Sequence, residues 1–503
     1  MRHSSFLLLL LSFALSTSLL AQNNEGARAT QNDVNHDPNQ RDSVGATLSL
    51  PQAVAIAIRN NLLVAQSDIS SQGYKIGYDQ SWEYMLPTIS ASGGQQINFG
   101  RTINSSTSNQ YITSQFSTGN LGASAGLVLF HGLEYQNNMR AQRYAWNASK
   151  MDLQQQKDNI TLNVLLSYLL VLSSRDQVAI AYEQARTDSI TLDLTDAKGK
   201  EGALNPVSNL TDLQGKYAQD QVNIALAINT LESNKVALFA LLNVPYNRET
   251  EYQNSVTATD INDYQATSDS IFQHALGIYP GIRSAQLKVE EYRRLLSYYR
   301  GAYYPTIQLS GGVNTNWTNA PAPSSFVQTG PSTYSPNTEG LYTDANGNNV
   351  IYQQSTPGYN VYPKFGDQFK NNRSEYIGLS VNIPILNGFQ ARNNVRQAKL
   401  NLKNFELQNT NQRYYLQQQV ELAFQNMIAA YKSLKFYEKE AIAFKESFRI
   451  TNIRYNEGVI ASDAYILAKN NSDAAEVNLA AAKYAYIFRT KVLDYYQGKL
   501  TIN

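Results

Sequence analysis

The sequence has 503 residues, and its 41 Lys and Arg nearly balance its 40 Asp and Glu, which argues against a nucleic-acid-binding surface. Because it contains no cysteine, it can form neither a disulfide bond nor a lipid-modified N-terminal cysteine. Four dispersed histidines and no glycine-rich phosphate-binding loop predict a protein that is not an enzyme and that binds no cofactor or metal.

The chain begins with a segment typical of exported proteins. Arg2 and His3 precede the uncharged apolar run FLLLLLSFALSTSLL, and Ala21 followed by Gln22 offers a cleavage site. This order predicts a secretory signal peptide over 1–21, with a buried N-terminal helix as the alternative. Residues 22–46 are polar and follow no periodic pattern, which predicts a flexible leader.

The remainder of the sequence repeats itself. MLPTISASGG in the first half matches YYPTIQLSGG in the second, so that Pro87 corresponds to Pro305 with an offset of 218 residues. Gly132 corresponds to Gly388 with an offset of 256, and the same offset still holds about 70 residues later at Gly202 and Gly458. We therefore predict a duplicated unit of strand hairpin and long helical hairpin, with repeat 1 over 47–265 and repeat 2 over 266–503.

Short helices are expected to lead into a strand hairpin in each repeat. The lead-in helices are predicted over 62–85 and 269–302, and the strands over 86–102, 117–132, 304–318 and 375–388. In the strands, apolar residues such as Ile89 and Leu309 alternate with polar residues such as Ser90, Gln96, Gln308 and Asn314. The alternating stretches 86–100, 117–132, 307–317 and 377–383 contain no Lys, Arg, Asp or Glu. This fits strands in lipid, where a charged side chain at mid-depth costs about 2–4 kcal/mol.

A soluble sandwich shows the same alternation and is the alternative interpretation. Against it, only four such strands occur, and they lie in two hairpins far apart in the sequence. A four-stranded sheet has two open edges, for which lipid offers no hydrogen-bond partner. Several chains must then close the barrel, and an open pore favours three or more chains, because eight strands fill their interior with side chains.

Long helices follow each strand hairpin. The predicted helical hairpins cover 133–245 and 389–497, and their first helices contain no proline and almost no glycine. At 1.5 Å per residue such a helix is about 100 Å long. Its sparse apolar positions are spaced as in a coiled-coil seam, with a filamentous coiled coil as the alternative. Acidic residues along these helices are expected on solvated faces. No segment after the signal approaches the roughly 18 consecutive apolar residues of a transmembrane helix, so any membrane crossing is expected to use strands.

This order of elements, with the Leu-Pro-Thr-Ile strand start and the Tyr-Asn-Glu-Gly turn that ends at Gly458, resembles the TolC-like outer-membrane efflux proteins over 47–503. The resemblance implies a mixed α and β membrane protein that forms a homotrimer. It implies a 12-stranded β-barrel in outer-membrane lipid, with four strands per chain, continuous with an α-helical coiled-coil barrel in the periplasm. It also implies two protein partners, a periplasmic adaptor (membrane fusion) protein and an inner-membrane pump.

Two kinds of site residue are expected at the far ends of the helical hairpins. In the family these turns contact the adaptor, which points to the equivalent tips Gly202, Ala203, Leu204 and Gly458, Val459, Ile460; closing the hairpin is their alternative role. Family members often close the entrance with carboxylates six and nine residues past the second glycine, where this chain has Ala464 and Leu467. Three copies of Asp463 form the predicted entrance ring, with a solvated aspartate at a helix start as the alternative.

The function implied is a passive exit duct of a tripartite efflux or type I secretion system, with energy supplied by the pump. The alternative is a structural or adhesive envelope protein that spans the periplasm without conducting solute. Polar residues that face inward from the strands favour the duct.

Overall fold

The computed structural model describes residues 44–104, 110–200, 207–254, 264–319, 325–336, 346 and 352–500. The predicted signal peptide and nearly all of the predicted leader lie outside these residues. Two compact units are present. The helical unit holds the described residues up to Ile76, Gln142–Tyr292 and the described residues from Asn401 onward, and the strand unit holds Gly77–Ala141 and Arg293–Leu400.

Helices make up most of the described chain. They are α1 (Leu50–Asn60), α2 (Leu62–Glu83), α3 (Glu134–Lys200), α4 (Val207–Leu242), α5 (Ser268–Ile278), α6 (Pro280–Gly301), α7 (Phe365–Asn371), α8 (Gln390–Asn456) and α9 (Ser462–Tyr496). Helices α3 and α8 each contain 67 residues, because neither contains proline and α3 has a single glycine at its end. The helix pairs α1–α2 and α5–α6 likewise have matching lengths of 11 and 22 residues.

The helix predicted over 269–302 is broken, which corrects the sequence-based expectation. Tyr279 has extended backbone angles between α5 and α6, because the ring of Pro280 disfavours the helical conformation in the residue before it. Asn61 makes the equivalent break between α1 and α2, and its side-chain oxygen accepts hydrogen bonds from the backbone of Leu63 at 2.9 Å and Val64 at 3.2 Å.

Strands form the second part of the fold. They are β1 (Thr47–Leu48), β2 (Thr88–Asn104), β3 (Gln110–His131), β4 (Glu251–Tyr252), β5 (Thr306–Thr318), β6 (Ser325–Gln328), β7 (Thr333–Pro336), β8 (Tyr352–Ser355), β9 (Gly358–Val361) and β10 (Ser374–Asn382). Strands β2, β3, β5 and β10 form one antiparallel sheet in the order β10-β5-β3-β2. Strands β6 and β9 pair with each other, as do β7 and β8, and β1 pairs with β4 in parallel.

Two strand boundaries differ from the predicted ones. Strand β10 ends at Asn382 and not at 388, because Pro384 follows and cannot donate a backbone hydrogen bond. Strand β3 begins at Gln110, seven residues before the predicted start at 117, because its pairing with β2 continues to Asn104.

The main core of the helical unit gathers around Tyr168, which is fully buried. Its hydroxyl lies 2.9 Å from the carbonyl oxygen of Leu48 and 2.8 Å from that of Gln253, so it ties the β1–β4 pair to α3. A second core surrounds Tyr486 and joins α5, α8 and α9. These two cores fix the helices that carry the tip turn described below.

Two helices, Glu134–Lys200 and Asn209–Leu242, are by length and composition apolar enough to cross a membrane. Neither helix contains 18 consecutive apolar residues, so this finding does not contradict the expectation drawn from uninterrupted apolar runs. Half of the apolar stretch in the first helix is buried, and side chains such as Val164 and Leu172 pack in the Tyr168 core.

Candidate functional site

The four-stranded sheet separates polar from apolar side chains. Directly opposed residues point to the same face of an antiparallel sheet, so the register defines each face. On the polar face Ser90 lies opposite Ser124, with their hydroxyl oxygens 3.1 Å apart, and Asn314 lies opposite Ser374, to which it is hydrogen bonded. Gln308 lies opposite Ser380 on the same face. Polar side chains thus continue across all four strands.

The other face of the sheet is apolar and open to the surroundings of the single chain. Leu127 lies opposite Leu309, which lies opposite Leu379, and Ile89, Ala125, Gly311 and Ile377 form a parallel row. Ile377 is 82% exposed and Leu379 63% exposed. A row of exposed aliphatic side chains on one face of a sheet is the pattern of a lipid-facing surface.

Aromatic residues and a short helix lie on the apolar face at one end of β5. Two hydrogen bonds hold helix α7 against this strand. The Thr315 hydroxyl donates to the carbonyl of Phe369 at 2.8 Å, and the Thr318 amide donates to the Gln368 side chain at 2.9 Å. The Trp317 ring contacts Phe365 edge to face and lies over Gly119, where a β-carbon would clash with it. A cavity of about 710 Å³ lies beside this cluster, lined among others by Gln95 and Tyr362.

The opposite end of the sheet passes into the long helices through two matching bends. Gly132 and Leu133 have φ angles of 58° and 62°, and Gly388 and Phe389 have φ angles of 62° and 63°. At Gly132 a β-carbon would lie 2.2 Å from the carbonyl oxygen of Gly301, so only glycine fits there. Two successive left-handed residues turn the chain from strand to helix in each half of the sequence.

The second tip turn, between α8 and α9, is described, whereas Gly202, Ala203 and Leu204 of the first tip lie outside the described residues. Gly458 has a φ angle of 72°, and the Val459 amide donates to the carbonyl of Arg454 at 2.9 Å, which ends α8. Val459 is 65% exposed. Ile460 is half-buried and packs against Leu213 and its neighbours, so of the two apolar tip residues Val459 offers the free surface.

Hydrogen bonds hold this tip against the first hairpin. The Ser462 hydroxyl donates to Asp212 at 2.8 Å and lies 3.0 Å from the Asn209 side chain. The Tyr455 hydroxyl lies 3.3 Å from that of Thr195, and burial raises the pKa of Tyr455. These hydrogen bonds hold the second tip turn in place while the Val459 side chain projects from it.

Asp463, the predicted entrance residue, lies in the first turn of α9 and is exposed. Ala464, beside it, and Leu467, one turn further on, are exposed as well. An exposed aspartate in a first turn is favoured by the helix dipole and remains free to interact with cations.

Some acidic residues of the helices are buried, so the prediction that they lie on solvated faces is wrong for these residues. Asp188, Asp220 and Asp473 come together in the interior of the helical unit, each with one oxygen within 4.8 Å of the other two. The sequence signal for this group is the spacing Lys-x-x-x-Asp, which occurs at 216–220 in α4 and again at 469–473 in α9.

Comparison with known proteins gives a family match over part of the chain and a fold for most of it. Residues 271–493 match the family model described as outer membrane efflux protein. Among curated protein sequences, none matches the chain at a significant level. The fold is similar to that of the outer-membrane channel OprN, with a TM-score of 0.67, 14% identity and coverage of 90% of either chain.

Two further solved structures are similar over nearly their whole length. CusC has a TM-score of 0.67 at 15% identity, with 92% of this chain and 95% of that chain covered. The Campylobacter jejuni outer membrane channel CmeC has a TM-score of 0.65 at 16% identity, with 90% of this chain and 86% of that chain covered. At such identities these likenesses show a shared fold.

Proposed function

We propose that the chain is a TolC-like outer membrane efflux protein, which the family match over residues 271–493 supports, and that it acts as the passive exit duct of a tripartite efflux or type I secretion system. The observation that carries this proposal is the two-faced sheet, with an exposed aliphatic row at Ile377 and Leu379 on one side and a polar row at Ser90, Gln308 and Asn314 on the other. A wall with lipid on one side and water on the other needs this arrangement.

Closure of that wall requires further copies of the chain. Strands β2 and β10 are the edges of the sheet, and an unpaired edge in lipid leaves backbone groups without hydrogen-bond partners. A homotrimer would supply twelve strands, enough to enclose a pore. The residues after β10 support assembly, because Ile385 is 94% and Leu386 78% exposed in the single chain and a neighbouring copy would cover them.

The duplicated unit supplies the rest of the duct. Helices α3 and α8, 67 residues each, are about 100 Å long at 1.5 Å per residue. Three copies of both helical hairpins would form a coiled-coil barrel in the periplasm, continuous with the β-barrel. This proposed arrangement places repeat 1 over 47–265 and repeat 2 over 266–503.

We place the adaptor at the hairpin tips and the pump beyond it. Val459 is the strongest candidate for adaptor contact, because it is exposed while the turn around it is held by Gly458 and Ser462. Gly202, Ala203 and Leu204 take the equivalent place in the first repeat on the sequence offset alone. Since the sequence contains no nucleotide-binding loop, the pump would supply the energy.

The competing function is a structural or adhesive envelope protein that conducts nothing. A proteoliposome swelling assay with small neutral sugars separates the two functions. The duct predicts swelling that depends on the protein and on its assembled state, whereas protein-containing liposomes that swell no faster than empty ones would support the structural role. The Val459→Asp variant serves as a control for assembly, because Val459 is exposed and belongs to no wall strand.

A further inference from the structure

Five charged side chains meet inside the helical unit, and they are here termed the ionic cluster. They are Asp188 of α3, Lys216 and Asp220 of α4, and Lys469 and Asp473 of α9. Asp188 is 1%, Asp220 2% and Lys469 2% exposed. Charges are rarely buried to this degree unless they are paired, so the pairing within the cluster decides its properties.

The two lysines do not pair one to one with the carboxylates. The Lys216 ammonium is hydrogen bonded to Asp220 and lies 3.5 Å from Asp188 and 3.6 Å from Asp473. The Lys469 ammonium is hydrogen bonded to both oxygens of Asp473 and lies 3.8 Å from Asp188. The cluster thus joins the α3–α4 hairpin of the first repeat to α9 of the second.

The count of charges leaves one negative charge in excess, because three carboxylates face two ammonium groups. The remaining contacts do not offset it. The Tyr465 hydroxyl donates to Asp188 Oδ1 at 3.0 Å. Among the described residues, Asp188 Oδ2 and Asp220 Oδ2 have no hydrogen-bond donor, and Asp188 Oδ2 has only the longer ion pairs with Lys216 at 3.5 Å and Lys469 at 3.8 Å. An uncompensated charge in the interior is costly, and it is removed most simply by protonation.

We propose that the ionic cluster is a proton-binding site in which Asp188 and Asp220 share one exchangeable proton, and that release of this proton loosens the packing of α9 against α3 and α4. The shared proton would supply the hydrogen bond that Asp188 Oδ2 and Asp220 Oδ2 lack. It would also make the cluster neutral. This inference concerns the helical unit and goes beyond the proposed duct, and its test needs no transported solute.

A proton explains the site better than a metal ion does. The three carboxylates are close enough together to hold a cation. However, the Lys216 ammonium already lies within 3.6 Å of all three, and Lys469 contacts two of them. A divalent cation would have to enter beside two positive charges, whereas a proton neutralises the single excess charge without displacing either lysine.

The surroundings of the carboxyl pair agree with a retained proton. Burial, as the largest cause, and the adjacent Asp220 carboxyl together raise the pKa of Asp188 to about 7, although the Lys469 and Lys216 charges oppose them. Burial also raises the pKa of Asp473, against the effect of Lys469. For Lys216, burial disfavours the charge, but Asp220 and the other carboxylates outweigh it and raise the pKa, so this lysine stays charged.

The other groups that face Asp188 and Asp220 do not change the net charge of the ionic cluster. From α9, burial and the nearby Asp188 raise the pKa of Tyr465, so its hydroxyl stays protonated. From α3, Thr191 contributes a neutral hydroxyl 3.0 Å from that of Tyr465. From α8, the ring of Phe448 lies 5.7 Å from the Lys469 ammonium.

The direction of the pH effect follows from linkage. A carboxyl whose pKa is raised in the folded state stabilises that state below its ordinary pKa, and this stabilisation is lost as pH rises towards the folded value. With a folded pKa of about 7, the equilibrium constant for local opening of the cluster should rise about tenfold between pH 6 and pH 8.

Backbone hydrogen exchange of the mature, detergent-purified protein, read by mass spectrometry and corrected for intrinsic exchange, measures this opening. We expect an increase of about tenfold for amides of α9 around 465–473 in the unchanged protein. Asp188→Asn should remove the increase, because the amide cannot ionise and imitates the protonated carboxyl. Asp196→Asn, at an exposed pair with Lys200 on the same helix, is the matched control and should keep the increase.

A second variant and a spectroscopic measurement keep the proposal testable if Asp188→Asn does not fold. Asp220→Asn should also make exchange independent of pH, and infrared difference spectra between pH 6 and pH 8 should show a protonated carboxyl that either variant lacks. Exchange that is flat with pH in the unchanged protein would overturn the proposal. So would a pH response that persists in both variants, or a loosening that follows chelation of divalent cations and not pH.

Discussion

Gly126 in the first strand hairpin lies directly opposite Ser310 in the second, and this pairing joins two distant parts of the sequence into one sheet. It places β3 beside β5 at the centre and leaves β2 and β10 as the edges. The same register brings Leu127 opposite Leu309, so that the apolar face and the polar face are each continuous across both hairpins. The wall of the proposed duct therefore depends on contacts between the two halves of the chain.

Charge on the apolar face should prevent stable insertion. Leu379→Arg places a guanidinium on the lipid-facing side of β10 and should destabilise the inserted sheet by about 2–4 kcal/mol if the residue lies near mid-membrane. Urea unfolding in liposomes, together with the amount recovered in the outer-membrane fraction, measures the effect.

Ser380→Arg is the matched control, because it is the next residue of the same strand and points to the polar face opposite Gln308. Its effect on insertion should be small. Equal losses in the two variants would contradict the assignment of the faces.

The two apolar residues of the second tip should differ in what they contribute. Val459→Asp changes an exposed side chain and should lower efflux in cells while leaving the melting temperature of the purified protein unchanged. Ile460→Asp places a charge against Leu213 and Tyr465 and should lower the stability of the tip by about 1–3 kcal/mol. Efflux assays and thermal unfolding of both variants distinguish docking from packing, and full transport by Val459→Asp would argue against an adaptor contact there.

The anchoring of the β1–β4 pair should depend on one hydroxyl group. Tyr168→Phe removes the group that lies 2.9 Å from the Leu48 carbonyl and 2.8 Å from the Gln253 carbonyl, and it should cost about 1–2 kcal/mol of unfolding free energy. Chemical denaturation of the helical unit within the full chain measures the loss. Tyr182→Phe, at a residue that is 53% exposed on the same helix, should have no measurable effect.

The entrance ring makes a prediction about ions. If three copies of Asp463 attract cations, divalent cations should block single-channel conductance, and Asp463→Asn should weaken that block at least about tenfold because the ring loses its charge. Titration of the block in planar bilayers gives the measurement. A block of the same strength in the Asn variant would leave Asp463 as a solvated residue at a helix start.

Much of the fold was open to prediction because it follows local rules. Alternation along β2 and β5 assigns Ser90 and Gln308 to one face, and this does not depend on distant contacts. The absence of proline and the scarcity of glycine predict the long helices. Ser49 and Gln52 predict a capping box, and the Gln52 side chain does accept a hydrogen bond from the Ser49 amide at 3.0 Å.

The features that were missed depend on packing between elements. In the sequence, Asp188 and Asp473 occupy positions typical of solvated helix residues. They are buried because α3 packs against α9. Ile460 and Val459 are both apolar residues after a glycine turn, and the position of Leu213 decides which of them is exposed. Pro280 indicates a break at Tyr279, but the helical periodicity on both sides of it favoured the prediction of one continuous helix.

The most direct test of the proposed duct is single-channel conductance of the detergent-purified mature protein in a planar bilayer, with its oligomer mass determined by light scattering on the same sample. We expect the mass of a homotrimer and discrete, cation-sensitive channel openings. A monomer, or a trimer that remains electrically silent even with tip substitutions meant to open it, would contradict the duct and favour a structural role in the envelope.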